Sequence, residues 1–199
     1  WEIGLKAILA EDTIEATVAY FDIERDDVLE QIGVDRAANV GGRESNGVEI
    51  SATWLATDQL KFGVNAAHTD AEFSRSTNFQ NFAGNTPPNV PERTANLWTR
   101  YNFSAVPLTL GAALRYVDDR YGDNANNITL KSYSLIDAFA SWKHKSFMLN
   151  ARVNNVADEE YVSWSDVFYL GQNDPSFIYA NQLLLGSPRT YEVSISASF

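Results

Sequence analysis

The sequence predicts an all-β fold: an antiparallel up-and-down β-barrel that crosses a membrane with its strands. Three observations predict it. Strand signals mark nine segments with clear apolar–polar alternation in several, short and long connections alternate between them, and aromatic residues gather toward the two ends of the segments. Strict alternation marks a strand with one dry and one wet face. The segments run over roughly 2–9, 13–23, 46–56, 60–70, 93–103, 107–120, 132–143, 146–157 and 188–199. In one, Val48, Ile50, Ala52 and Trp54 oppose Glu49, Ser51 and Thr53; in another, Phe147, Leu149, Ala151 and Val153 oppose Asn150, Arg152 and Asn154. Ala95, Leu97, Tyr101 and Phe103 oppose Asn96, Arg100 and Asn102, with Trp98 an exception. No stretch reads as a long amphipathic helix.

The connections are the second observation. Residues 10–12, 57–59, 104–106 and 144–145 are short; 24–45, 71–92, 121–131 and 158–187 are long. They alternate without exception, so all short turns fall on one edge of a meander and all long loops on the other. Outer-membrane barrels have this asymmetry, with short periplasmic turns and long extracellular loops, whereas a soluble sandwich has no need of it. The third observation is the aromatic distribution. Trp54, Phe62, Phe103, Trp142, Phe147 and Phe199 lie at the short-turn edge, and Tyr20, Tyr116, Tyr133, Tyr161 and Tyr191 lie toward the long loops. Amphipathic rings favour the headgroup level of a bilayer. The competing reading is that they form the core of a soluble β-protein with a conventional ligand-binding interior.

Composition sets outer bounds. The chain has 199 residues, 45% hydrophobic and 21% charged, with net charge −11 and no cysteine. The negative charge argues against a nucleic-acid partner. Without cysteine there is neither a disulfide framework nor a thiolate metal site. No apolar run approaches the roughly 18 residues of a membrane helix. There is no signal peptide and position 1 is Trp, so the chain reads as a processed product or fragment. Bacterial single-chain barrels have even strand numbers, and an open edge in lipid is costly. About nine strands therefore predict the C-terminal part of a larger barrel.

The faces follow from the alternation. Tyr191, Val193, Ile195, Ala197 and Phe199 should meet lipid, while Glu192 and the intervening serines face the lumen. Arg100, Arg115 and Arg152 should also face the lumen, pairing with whatever fills it or with Asp137 and Glu192 on the wall, because a buried charge needs a partner. Gly63 and Gly111 fit wall positions that something else approaches closely. Ligand contact is most plausible in the long loops, at Phe79, Phe82, Trp164, Phe168, Tyr169, Phe177 and Tyr179; the alternative is that these rings pack on one another. The loop cations Arg25, Arg36, Arg43 and Arg75 are few, which gives no support to an anionic ligand. No catalytic constellation stands out, and no metal site is expected. His68 and His144 are the only histidines, and the Asp26–Asp27 and Asp118–Asp119 pairs read as a solvated acidic rim.

Several stretches are similar to a known family. "WEIGLKAILAEDTIEATVAYFDIERDDV", "GGRESNGVEISATWLATDQLKFGVNAAHTDAEF", "GNTPPNVPERTANLWTRYNF", "SYSLIDAFASWKHKSFMLNARVNNVADEEYV" and "GSPRTYEVSISASF" follow one another along nearly the whole chain. In order and spacing they resemble the C-terminal part of the barrel of TonB-dependent outer-membrane receptors of the ferric-siderophore type. The resemblance implies a 22-stranded barrel around an N-terminal plug. It implies active uptake of a scarce nutrient, a ferric siderophore first, energised through TonB; a passive porin-type channel or structural barrel is the alternative. It implies no resident cofactor, since the iron–siderophore chelate is cargo. Its partners would be the bilayer and lipopolysaccharide, the plug and upstream strands, the TonB complex and the barrel-assembly machinery, in the bacterial outer membrane. Within the signature, Asn154, Asn155, Asp158 and Tyr161 are expected to fix the base of a long loop, and the terminal Phe199 resembles the assembly signal of such barrels.

Overall fold

The computed structural model of the chain describes residues 1–33, 36–75, 82–168 and 180–198; the side chains of 30–33, 36–40, 167–168 and 180–181 lie outside that description. Thirteen strands follow in order: β1 Glu2–Leu9, β2 Ile14–Gly33, β3 Arg36–Leu55, β4 Leu60–Arg75, β5 Arg93–Asn102, β6 Leu108–Val117, β7 Arg120–Tyr121, β8 Thr129–Leu130, β9 Tyr133–His144, β10 Phe147–Asn154, β11 Val162–Phe168, β12 Ala180–Leu185 and β13 Thr190–Ala197. Nine of them form one antiparallel sheet in the order β1-β2-β3-β4-β5-β6-β9-β10-β13. The remaining four are two small hairpins, β7–β8 and β11–β12, set inside long loops. Among the described residues no helix is long and apolar enough to cross a membrane, which says nothing of crossing by strands.

The turns are local chemistry. Between β1 and β2, Ala10, Glu11 and Asp12 all take positive φ (52°, 54° and 67°), and the Thr13 hydroxyl donates to the Ala10 carbonyl at 2.7 Å. Between β3 and β4 the Thr57 hydroxyl oxygen accepts from the Gln59 and Leu60 N–H groups, a hydroxyl imitating a backbone turn. Between β9 and β10, His144 faces Phe147 across a two-residue loop in which Lys145 sits at φ 52°.

Of the connections expected to be long loops, 24–45 is mostly strand and 71–92 is strand over its first five residues. The hairpin β2–β3 continues up through the expected 24–45 loop, pairing Glu24 with Glu44 and Arg25 with Arg43, with register shifts between Arg25 and Val28 and again beyond Val28. β4 likewise runs on to Arg75. The reason is physical. Above the bilayer a strand needs no apolar face, so this extension carries charge on both sides and lacks the alternation that marks a half-buried strand.

Register separates two faces. Residues opposite one another on adjacent strands share a face. One outward row reads Leu5, Val18, Ile50, Ala66, Ala95, Tyr116, and the next reads Ala7, Ala16, Ala52, Val64, Leu97, Leu114, Ile136. A third reads Leu60, Tyr101, Leu110, Ala140, Ala151, Val193. No charged side chain falls in these rows, yet Leu5, Ile50, Leu97 and Val193 are all exposed. A contiguous exposed apolar band of this kind has no place in water and is what lipid requires. The opposite face carries hydroxyl and amide pairs: Thr17 with Ser51 at 2.6 Å, Asn96 to Asn65 at 2.8 Å, Thr109 to Asn102 at 2.9 Å and Ser141 to Asn150 at 2.7 Å.

The short-turn aromatics sit on the outward face. Trp54 and Phe62 are register partners, stacked with centroids 5.8 Å apart, and Trp142 and Phe147 are exposed beside the next turn. Tyr20, Tyr116 and Tyr191 hold outward positions toward the loops. Tyr133 and Tyr161 do not join that belt. Tyr133 shares the inward parity of Asp137, and its ring lies 4.4 Å from that of Tyr161. β13 presents Tyr191, Val193, Ile195 and Ala197 on one face as expected, opposite Val153, Ala151, Leu149 and Phe147; Phe199 lies outside the described residues.

Candidate functional site: a loop platform above a polar wall

Three long loops are joined into one block. Asn89 and Ser165 bond each other twice: the Asn89 amide donates to the Ser165 carbonyl at 2.7 Å, and the Ser165 N–H donates to Asn89 Oδ1 at 2.9 Å. Ser165 is 1% exposed, and its hydroxyl donates to the Gly122 carbonyl at 3.0 Å. Asn126 and Thr86 form a second reciprocal pair, at 2.8 and 2.9 Å, and the Asn85 amide donates to the Asn124 carbonyl. Arg120 is 4% exposed; its Nη2 reaches the carbonyls of Val162 and Ser163, and its guanidinium lies 5.5 Å over the Tyr133 ring. Each clamp joins segments some 40 or more residues apart, so the block is tertiary rather than local.

Asparagine suits this task because it carries both donor and acceptor and tolerates left-handed backbone. Asn89 and Asn126 stand at φ 62° and 58°. Asp123 closes its own loop by accepting from the Asn127 and Ile128 N–H groups, both at 2.9 Å. These clamp residues were missed by sequence reasoning. Only the density of Asn between the proline-rich stretch 87–91 and the segment 123–127 hinted at them.

The loop bases are fixed as expected from the signature. Asn155, buried at φ 52°, donates to the Glu159 and Ser187 carbonyls, and its N–H donates to Asp137 Oδ1 at 2.8 Å. Asp158 Oδ1 accepts from the Arg189 N–H at 2.8 Å, and the Tyr161 ring covers Gly186. On the outward side Asp118 is buried and receives Tyr116 Oη at 2.8 Å and Arg93 Nε at 2.6 Å. Burial opposes the charged form of Asp118, but the hydrogen bonds from Tyr116 and Arg93 and from the Asp119 N–H outweigh it and hold its carboxyl below the usual range. A cleft of about 370 Å³ beside it is lined by His68, Asp70, Glu92, Asp118, Asp119 and Arg120 among others, so the loop side is acidic. Among the described residues no group of three or more carboxylates and histidines could hold a metal ion.

The expected ligand-facing aromatics separate. Trp164 stands 54% exposed on β11. Phe82 is 6% exposed instead, tilted against buried Phe73 at 6.3 Å, so it is part of a packed loop core and offers no open ring to a ligand. The backbone of Phe168 ends β11, while Phe79, Tyr169, Phe177 and Tyr179 lie outside the described residues. Arg100, Arg115, Arg152, Asp137 and Glu192 all occupy register positions on the face opposite the apolar rows. The expected pairing along the wall is absent. Among the described residues no ion pair joins these arginines to Asp137 or Glu192; Asp137 is taken by the Asn155 N–H, and Glu192 by the Asn154 amide at 2.9 Å. Gly63 and Gly111 are approached closely, but by rings of this chain. Trp98 lies over Gly63 and Phe139 over Gly111, and an added Cβ would meet either ring at 2.2 Å. That explains Trp98: it breaks the polar pattern of its strand because a neighbouring glycine makes room for it.

A nine-stranded meander with three charge-free outward rows and a polar inward face is the setting for the comparison with known proteins. The family model described as "TonB dependent receptor-like, beta-barrel" matches residues 1–156. The chain belongs to the TonB-dependent receptor β-barrel family. The receptor chain is 32% identical over 172 residues to the probable TonB-dependent siderophore receptor PiuA of Acinetobacter baumannii, covering 81% of this chain and 23% of that protein. It is 31% identical over 173 residues to the ferrichrome outer membrane transporter/phage receptor of Escherichia coli K12, covering 82% of this chain and 23% of that protein. The crystal structure of PiuA superposes with a TM-score of 0.77 at 27% identity, over 98% of this chain and 27% of that one. The ferric yersiniabactin uptake receptor FyuA of Yersinia pestis, at 19% identity and TM-score 0.80, shares the fold over 100% of this chain and 29% of its own. The receptor chain thus spans about a quarter of the length of its relatives. Its outward face is the lipid face of an outer-membrane barrel.

Proposed function

We propose that the chain forms the C-terminal wall and part of the extracellular loops of a receptor that takes up a ferric siderophore, driven through TonB. The observation that supports this most is the pairing of a charge-free outward band with a polar inward wall, capped by loops clamped into a fixed platform. A passive channel needs the first two features but gains nothing from a rigid platform on its outer side. The kinship to PiuA and to the ferrichrome transporter favours active uptake over a porin-type channel. In this reading a plug fills the concave side, TonB engages upstream of this chain, and the loops gather the ligand, with Trp164 presenting an open ring to it. The exposed acid of the loop side suits a neutral or cationic chelate better than an anionic one. The test is growth of an iron-starved strain that carries the intact receptor as its sole siderophore route, fed single ferric siderophores, with and without TonB. Growth that depends on both one siderophore and TonB supports the proposal; equal growth without TonB would sink it.

A further inference from the structure

Three aromatic rings on the polar face lie directly opposite glycines. Phe21 faces Gly47 across β2–β3, Trp98 faces Gly63 across β4–β5, and Phe139 faces Gly111 across β6–β9. A fourth ring, Tyr161, covers Gly186 at the base of β11–β12, above the β10–β13 pair, where the Gly186 N–H donates to the Tyr161 carbonyl. A Cβ on these glycines would meet the ring at 2.7, 2.2, 2.2 and 2.0 Å in turn, so each ring fills space that any other residue's side chain would need.

The four pairs are not scattered. β2–β3, β4–β5, β6–β9 and β10–β13 are the neighbours joined by the long connections. The neighbours joined by short turns are β1–β2, β3–β4, β5–β6 and β9–β10, and among the described residues none of these has a ring opposite a glycine; their glycines face Ala19, Thr53, Thr69, Arg75 and Arg100. The difference follows from what fixes a register. A slip of one residue turns apolar side chains to the polar face, so the polarity pattern forbids it. A slip of two leaves every side chain on its own face. Short turns forbid that slip as well, because turn length and type set the pairing. A long connection absorbs it, and the β2–β3 hairpin has register shifts above Arg25 that would absorb it too. After a slip of two, Phe21 would face Ser45 or Glu49, Trp98 would face Lys61 or Asn65, and Phe139 would face Thr109 or Ala113, each with a Cβ where the ring now lies.

We propose that the ring-on-glycine pairs are register locks, one for each strand pair whose connection leaves the register open, and that they select the native pairing from the two-residue slips the polarity pattern allows. The lock acts through the cross-strand side-chain contact, the unit by which one sheet register is preferred over another.

The test uses the full-length receptor in a background without other cysteines, refolded from urea with a mild oxidant, its disulfides mapped by mass spectrometry. Directly opposite Cβ atoms lie about 4.5–5.5 Å apart and diagonal neighbours about 7–8 Å, so a disulfide reports the register in which it formed. Asn65→Cys with Asn96→Cys reads the native β4–β5 register, while Asn65→Cys with Thr94→Cys and Ala67→Cys with Asn96→Cys read the two slips. With Trp98 intact the slipped disulfides should stay at trace level. Trp98→Ala should raise at least one of them about five-fold, the shift expected from losing a cross-strand contact at the upper end of its usual range. Trp98→Phe keeps a ring and should leave them at trace level. Trp54→Ala is the control, since it removes an equal ring from the short-turn pair β3–β4, stacked there on Phe62. The slipped pair of that hairpin, Ser51→Cys with Ala67→Cys, should stay at trace level. If Trp98→Ala gives no folded barrel, Trp98→Leu takes its place. Native disulfide alone after loss of the ring, slippage in Trp98→Phe equal to that in Trp98→Ala, or as much slipped product from Trp54→Ala would overturn the proposal.

Discussion

Gly63→Ala isolates the packing of a large ring on the polar wall. A Cβ at Gly63 would sit 2.2 Å from Trp98 Cε2 and 2.3 Å from its Nε1, where ordinary contact begins at 3.4 Å. The ring would have to withdraw by about 1.2 Å, the difference between those two distances. Withdrawal also disturbs Lys61, whose ammonium lies over the ring. Overpacking of this size costs about 1–3 kcal/mol, and a weakened cation–π contact adds up to about 1 kcal/mol. Against this stands the gain of about 0.5–1 kcal/mol that alanine ordinarily brings to a strand interior over glycine. The net expectation is destabilisation centred near about 2 kcal/mol, within the roughly 0–3.5 kcal/mol that those ranges span. In a Trp98→Ala background the clash is gone, and Gly63→Ala should become neutral or mildly stabilising. The assay is urea unfolding of the full-length receptor in detergent, following the compact band that folded barrels keep on unheated gels. A coupling of about 1–3 kcal/mol between the two sites is expected. Equal effects of Gly63→Ala with and without the ring would refute the reasoning, because the glycine would then serve something other than Trp98.

Three further outcomes follow from the same geometry. Leu97→Arg, in the middle of the outward band, should destabilise the folded receptor by about 2–4 kcal/mol in lipid, whereas Asn96→Arg on the inward face should cost far less; equal costs in a lipid-refolding titration would disprove the facial assignment. Ser165→Ala removes the buried hydroxyl bonded to the Gly122 carbonyl and should lower local stability by about 1 kcal/mol, seen as faster amide exchange across 85–92 and 120–128 together rather than in one loop alone. Asp118 has its carboxyl held below the usual range, so its contribution is fully present above the ordinary aspartate value of about 3.9 and is lost as pH falls through the lower folded value. Limited proteolysis at the loop base should therefore be steady from neutral pH down to about 4 and rise below it, and Asp118→Asn should remove that acid-side step.

The membrane strands were legible because each must satisfy two solvents at once. Lipid on one side and water or protein on the other force a period of two, and the short turns between strands leave little freedom in register. All four turn-side boundaries therefore fall within one residue of expectation: Leu9 to Ile14, Leu55 to Leu60, Asn102 to Leu108 and His144 to Phe147. The loop-base residues Asn155 and Asp158 were legible too, since their backbone at positive φ calls for Asn or Asp in the sequence. Above the bilayer the constraint lapses. Glu24 to Arg43 holds together as a hairpin by backbone pairing, and backbone pairing leaves no mark on side-chain polarity.

Alternation alone sorted the side chains into an apolar and a polar face, because a strand's side chains have only two directions to take. Which residues of the polar face touch was decided by tertiary structure. Trp98 over Gly63 and Phe139 over Gly111 depend on the register of separate strands. So does the release of Arg100 and Arg152 from wall partners that lie on the same face but are held by Asn154 and Asn155. The loop platform was decided there most of all. Asn89 and Ser165 are 76 residues apart, and only the lateral pairing of the strands between them brings one amide to one buried serine.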